Sequence, residues 1–149
     1  TLFQFDHAYE TVFGPVDVKS APPYRLIPRG RTALLDALGR AIGDTAGHVA
    51  DNPVDLVVFA VVTDGQENAS TECTRAGVRK QVGEKTAQGW QFVFLSADMD
   101  AVAEARDLGV SAESSAGFDP DAEGVKRAYS TLSRSVSRSR RSGGGPVKL

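Results

Sequence analysis

Asp55-Leu56-Val57-Val58-Phe59-Ala60-Val61-Val62-Thr63-Asp64-Gly65 is the stretch that decides the fold. A short, unbroken apolar run rich in β-branched residues has no alternation, so it reads as a strand buried on both faces, central and parallel, with helices covering it. Open parallel sheets bind ligands beyond the carboxyl ends of their strands. Thr63, Asp64 and Gly65 would then stand at such a crevice. Asp-Gly is also an ordinary turn dipeptide, and the stretch alone leaves both readings open.

Outward from this run, strand and helix signals alternate, which predicts an α/β domain with a mainly parallel sheet. Residues 1–5 read as a strand ending at Asp6. Residues 9–13 and 16–18 read as a polar edge hairpin broken at Gly14-Pro15, and Pro22, Pro23 and Pro28 keep the chain extended beyond it. Leu34, Leu35, Leu38, Ala41 and Ile42 recur at helical spacing and predict a helix over 32–46, stopped by Gly47. Ser70 reads as the cap of a helix reaching Gln88, with Val78 and Val82 inward and Gly89 as its stop. The spacing then predicts a strand over 90–96, with Trp90, Phe92 and Phe94 as packing residues. A short helix from Asp100 follows, with Val102, Ala105 and Leu108 inward and Gly109 as its end. An edge strand is expected within 110–118. Asp119-Pro120 opens a last helix whose stripe is Val125, Tyr129, Leu132 and Val136.

A chain of 149 residues has the size of one domain. Its 41% hydrophobic and 24% charged residues suit a packed core. The longest apolar run, Leu56 to Val62, is too short to span a bilayer, and the first residues lack the basic-then-apolar shape of a signal peptide; the expected location is cytoplasmic. Cys73 is the single cysteine, which excludes an internal disulfide and a cysteine-based zinc site. It reads as a helix residue without a neighbouring base, since His7 and His48 are far away in sequence.

Charge is unevenly spread. Residues 1–125 hold ten Lys and Arg against nineteen Asp and Glu, whereas residues 126–149 hold seven Lys and Arg and no acid. The acidic body disfavours non-specific nucleic-acid binding and tolerates divalent cations, while a basic end can touch phosphate. Arg138, Arg140 and Arg141 are the candidates for that contact, and a solvated helix end is the simpler reading of them. The expected organisation is a domain over 1–139 and a disordered Ser/Arg/Gly-rich tail over 140–149.

Two oxygen-bearing positions stand at comparable places: Thr32, at a helix entrance after Gly30, and Asp64, at the strand end. Such donors suit a hard cation like Mg2+. The stretches Pro28-Arg-Gly-Arg-Thr32-Ala-Leu-Leu-Asp-Ala-Leu38, Val61-Val-Thr-Asp64-Gly-Gln-Glu-Asn-Ala-Ser70 and Gly89-Trp-Gln-Phe-Val-Phe-Leu95 resemble the von Willebrand factor A domain. More specifically they are similar to a bacterial and phage-associated branch in which TDG-x-ENAS and GW-x-FVFL occur together. The resemblance covers residues 1–118.

That resemblance implies a Rossmann-like α/β fold, a mainly parallel sheet flanked by helices, and a metal-ion-dependent adhesion site at the top of the sheet. The family builds the site from a D-x-S-x-S motif after the first strand, a Thr from a second loop and an Asp from a third. Thr32 matches the second element and Asp64 the third. The implied cofactor is Mg2+, Mn2+ or Ca2+, and the implied partner is a protein whose acidic side chain completes the ion's coordination. The implied role is therefore protein binding without catalysis. Arg31, Gly65, Glu67 and Asn68 are expected to line the partner rim, with capping of the Ser70 helix as the simpler reading of Glu67 and Asn68. Arg31 stands where the family commonly has a small or neutral residue; it would either weaken the cation or pair with the partner's carboxylate.

One element of the pattern is missing: no D-x-S-x-S occurs in the sequence, and Asp98-Met99-Asp100 lacks its serines. The resemblance places the motif and the first strand before residues 2–5, so the expectation is that they lie upstream of Thr1. Two protein oxygens should then hold metal weakly or not at all. A divergent copy that lost its metal is the alternative. Two other functions stay open: a metal-free scaffold whose basic tail contacts nucleic acid or an acidic protein, and a Mg2+-dependent phosphoester enzyme using Asp64. Against the enzyme stand the absent G-x-x-x-x-G-K-[ST], G-x-G-x-x-G and H-E-x-x-H motifs.

Overall fold

The computed structural model describes residues 1–26, 30–97 and 99–149. In chain order the elements are β1 (Leu2–Phe5), β2 (Tyr9–Phe13), α1 (Leu34–Asp51), β3 (Val58–Thr63), α2 (Arg75–Ala87), β4 (Gln91–Ser96), α3 (Met99–Asp107), β5 (Ser115–Gly117) and α4 (Ala122–Arg141). Pro28, with which the first of the three resembling stretches begins, and Asp98 lie outside the described residues.

The fold is mixed α/β: a three-stranded parallel sheet in the order β3-β4-β5, flanked by helices, and a separate antiparallel hairpin β1-β2. The register of β3 on β4 runs from Val58↔Gln91 to Thr63↔Ser96, which sets Asp64 just past the carboxyl edge. β3 is therefore parallel, as its composition predicts, but it stands at an edge of its sheet among the described residues and leaves Ala60 exposed. The hairpin also differs from expectation. β2 pairs with β1, while Val18–Ser20 forms a 3-10 turn whose Lys19 N–H is capped by Asp17 Oδ1 at 2.8 Å.

One hydrophobic cluster joins the layers. Leu34, Leu35, Leu38 and Ile42 of α1 meet Val78 and Val82 of α2, Phe92 and Phe94 of β4, and Ala105 and Leu108 of α3. Each Val, Leu, Ile or Phe side chain among them, fully buried, is worth about 1.5–3 kcal/mol. Strand residues alternate faces, so Val93 and Leu95 lie on the opposite side of β4, where they are also buried. Both faces of β4 are thus covered. Gln91 shares the face of Val93 and Leu95. Tyr9 ties the hairpin to α1 by donating to Asp44 Oδ2 at 2.8 Å.

Helix boundaries follow local chemistry. Gly89 (φ 90°) and Gly109 (φ 89°) take up left-handed backbone and end α2 and α3. Gly47 does not, and α1 continues to Asp51. The cap of α2 is Thr74, whose Oγ1 accepts from Gly77 N at 3.2 Å; Ser70 is engaged elsewhere. The cap of α4 is Asp121, accepting from Gly124 N at 2.6 Å, because Asp119 is held by Arg127 at 2.7 Å. Arg138, Arg140 and Arg141 occupy the last turn of α4, where cations complement the free carbonyls.

The tail expected to be disordered is docked. Val147 is 1% exposed, and the Gln91 side-chain amide grips the tail backbone, donating to Gly144 O at 2.9 Å and accepting from Val147 N at 2.7 Å. Composition missed this because most of the hydrogen bonds are made by the tail's backbone. Among the described residues, no helix is long and apolar enough to cross a membrane.

Candidate functional site

The segment leading into α1 and the loop leaving β3 are locked together residue by residue. Thr32 N donates to Asn68 Oδ1 at 2.9 Å, and Asn68 N returns a bond to Thr32 O at 3.0 Å. Ala33 N donates to Asp6 O at 2.7 Å, so the end of β1 is tied to the same point. Asp6 itself is buried, and its carboxylate accepts from Ala8 N at 2.6 Å.

The first turn of α1 leaves N–H groups without partners inside the helix, and Ala33 has no side chain to cap them. The β3–α2 loop supplies the caps. Glu67 Oε2 accepts from Leu35 N at 2.8 Å, and Ser70 Oγ accepts from Asp36 N at 3.0 Å. Glu67 also takes the N–H groups of Ala69 and Ser70 and the Ser70 hydroxyl, at 2.7–2.9 Å. In return, Asp36 caps the loop by accepting from Thr71, Glu72 and Cys73 N–H at 2.6–3.0 Å.

These bonds decide the charge state of both acids. Burial by itself raises Glu67, but the Ser70 hydroxyl and the N–H groups of Leu35, Ser70 and Ala69 outweigh it and hold the carboxyl below its usual range. Asp36 behaves alike: burial raises it, and the N–H groups of Thr71, Cys73 and Glu72 together pull it below normal. Both stay ionised as anions at a helix N-terminus, where the macrodipole favours them.

This latch sets Thr32 against Gly65, the residue after Asp64. A Cβ built on Gly65 would stand 3.0 Å from Thr32 Oγ1, so the hydroxyl rests on the backbone immediately after Asp64. Thr63 Oγ1 tightens the same turn by donating to Gly65 O at 3.1 Å. Asp64 is exposed, and among the described residues no hydrogen bond or ion pair takes up its carboxylate. Thr32 Oγ1 thus lies beside the backbone that follows an exposed Asp64 at the sheet's carboxyl edge. Such a hard donor set fits a divalent cation. Among the described residues no group of three or more His, Cys, Asp or Glu side chains could hold a metal ion.

The other residues singled out by sequence separate cleanly. Arg31 is exposed beside Thr32, and Gly65 forms the floor under its hydroxyl. Asn68 and Glu67 are spent inside the latch, where they position the site's backbone. Cys73 lies in the turn before α2, with its sulfur where a Cβ on Gly39 would be 2.5 Å away. Burial first, and the Asp36 and Glu72 charges next, push its thiol up, which suits packing and not nucleophilic chemistry. Asp36 and Asp6 were not foreseen. Asp36 stands in the first turn of a helix, a place that predicts a dipole partner but not its loop.

Compared with family models, curated proteins and solved structures, the chain matches none.

Proposed function

We propose that this domain is a non-catalytic protein-binding module that uses a divalent cation, held in part by Thr32 and Asp64, to engage an acidic side chain of a partner. The observation that carries the reading is the Thr32 hydroxyl seated over Gly65, next in the chain to an exposed Asp64 whose carboxylate has no hydrogen bond or ion pair among the described residues. The resemblance to the von Willebrand factor A domain points the same way, and so does the sheet's parallel order. The ion would be Mg2+, Mn2+ or Ca2+, and its contribution is an electrophilic centre with room for a further oxygen ligand.

The chain's own residues do the rest. Asp64 contributes the charge and Thr32 a neutral oxygen, so the ion keeps net positive charge with which to attract a partner carboxylate. Gly65 lets the two loops approach. Asn68 holds Thr32 by its N–H, and Glu67 and Asp36 fix the spacing of the loops. Two protein oxygens leave most of an octahedral shell to water; a donor segment meeting the open edge of β3 would fill it further.

The test is affinity capture on the immobilised chain in Mg2+ and in EDTA, repeated with Asp64→Ala. Proteins released equally by EDTA and by Asp64→Ala support the reading. Partners retained by Asp64→Ala in EDTA reject it.

A further inference from the structure

The tail after α4 is held in a way unlike the rest of the chain. Its main chain is read by side chains from three other elements. Gln91 Nε2 donates to Gly144 O and Gly145 O at 2.9 and 3.1 Å, and Gln91 Oε1 accepts from Val147 N at 2.7 Å. Ser114 Oγ donates to Val147 O at 2.8 Å, while the hydroxyls of Ser135 and Ser139 donate to Lys148 O and Gly145 O. Leu149 N reaches Glu113 O at 2.9 Å.

Side-chain selectivity is confined to two positions. Val147 is 1% exposed, and Lys148 Nζ meets Glu113 Oε2 at 2.7 Å. Backbone bonds for affinity with a pocket for one side chain is how extended peptides are recognised. Pro146 favours that extended form by restricting itself and the residue before it.

We propose that the groove between α4 and the β4–β5 region is a peptide-recognition site, occupied in this chain by its own residues 144–149. Its ligand class is an extended protein segment with small residues, a proline, a compact apolar residue and a basic residue, in that order. Apart from Gly144 N, which closes the end of α4 by donating to Ser139 O at 2.9 Å, the contacts do not depend on the covalent link to α4, and a separate peptide of this pattern can make them. Gly143 (φ 72°) and Gly144 (φ 94°) form the connection, held to α4 by Gly143 N donating to Arg140 O at 3.4 Å and Gly144 N to Ser139 O at 2.9 Å, so releasing the tail costs these two backbone bonds besides the groove contacts. The resident tail competes at the high effective concentration of a short linker. A partner segment therefore gains the groove by displacing it.

The test uses the full chain and a fluorescent Gly-Gly-Gly-Pro-Val-Lys-Leu probe followed by anisotropy. Val147→Asp with Lys148→Glu releases the tail by placing charge in the apolar pocket and opposite Glu113. The released chain is expected to bind the probe at least about tenfold tighter than the intact chain. Adding Gln91→Ala should weaken that binding about tenfold, and a probe carrying Asp in place of Val should not bind. A released chain that is folded by circular dichroism yet binds no better than the intact one overturns the proposal, as does indifference to Gln91→Ala. If the released chain does not fold, a dye attached after Leu149 of the intact chain serves. Excess unlabelled peptide should lower the dye's anisotropy, and no change up to millimolar peptide overturns the proposal.

Discussion

Replacing Glu67 with Ala removes the acceptor for three backbone N–H groups and one hydroxyl, at 2.7–2.9 Å. Hydrogen bonds to a charged group are worth about 1.5–3 kcal/mol each, and an orphaned donor costs about 1–3 kcal/mol. The four are coupled, and the half-buried loop can recruit water, so the sum is far from additive. A loss of about 3 kcal/mol is expected. For a chain of this size 1 kcal/mol moves Tm by roughly 2–4 °C, which puts the drop at roughly 6–12 °C by calorimetry or circular dichroism. Glu84→Ala is the control: Glu84 is 58% exposed and 3.9 Å from Lys80, and such pairs contribute at most about 1 kcal/mol. The deficit should also depend on pH. The folded pKa of Glu67 lies below its unfolded value of about 4.3. Its contribution is thus complete above that pH and fades as pH falls through the lower folded value. The difference between wild type and Glu67→Ala should be constant from about pH 5 to 8 and narrow in acid. A Glu67→Ala melt within about 1 °C of wild type, or a gap that widens in acid, refutes the latch.

Gly39→Ala should destabilise by about 1–2 kcal/mol although Gly to Ala in a helix normally gains about 1 kcal/mol, because its Cβ would lie 2.5 Å from Cys73 Sγ; adding Cys73→Ala should restore the melt. Gly47→Ala, with nothing within 4 Å of the new Cβ, should raise Tm by a few degrees, from about 0.4–1 kcal/mol. Leu34→Ala, at a fully buried position, should cost about 2–5 kcal/mol in denaturant titration. Gly65→Ala should leave the melt almost unchanged while weakening divalent-ion binding, measured by calorimetry, since the added methyl crowds Thr32 Oγ1 at 3.0 Å.

Periodicity made the elements legible where burial is complete. The stripe of Leu34, Leu38 and Ile42, the β4 run from Phe92 to Leu95 and the terminating Gly89 and Gly109 all stand where the spacing puts them. Caps were misread at Ser70 and Asp119: Ser70 is taken by Glu67 and the Asp36 N–H, Asp119 pairs with Arg127, and Thr74 and Asp121 do the capping. The edge position of β3 was invisible, since a strand's own composition reports which faces are covered and not how many neighbours it has. At the site, Thr32 Oγ1 lies against Gly65, the residue after Asp64. Sequence left Glu67 and Asn68 between the rim and a helix cap, because a polar residue after a turn looks the same in either place; that Glu67 bonds the first turn of α1 rather than the Ser70 helix needed the fold. The tail deceived for a related reason: Gly and Ser signal disorder unless side chains elsewhere, here Gln91 and the α4 serines, are placed to hold their backbone.

Mn2+ titration followed by nuclear magnetic resonance is the most direct measurement, because paramagnetic broadening reports even weak occupancy. Amide signals of Arg31 to Ala33 and Thr63 to Gln66 should broaden first, and Asp64→Ala should abolish the effect while the spectrum stays folded. Broadening centred on other acidic residues, or unchanged by Asp64→Ala, would contradict a cation shared by Thr32 and Asp64.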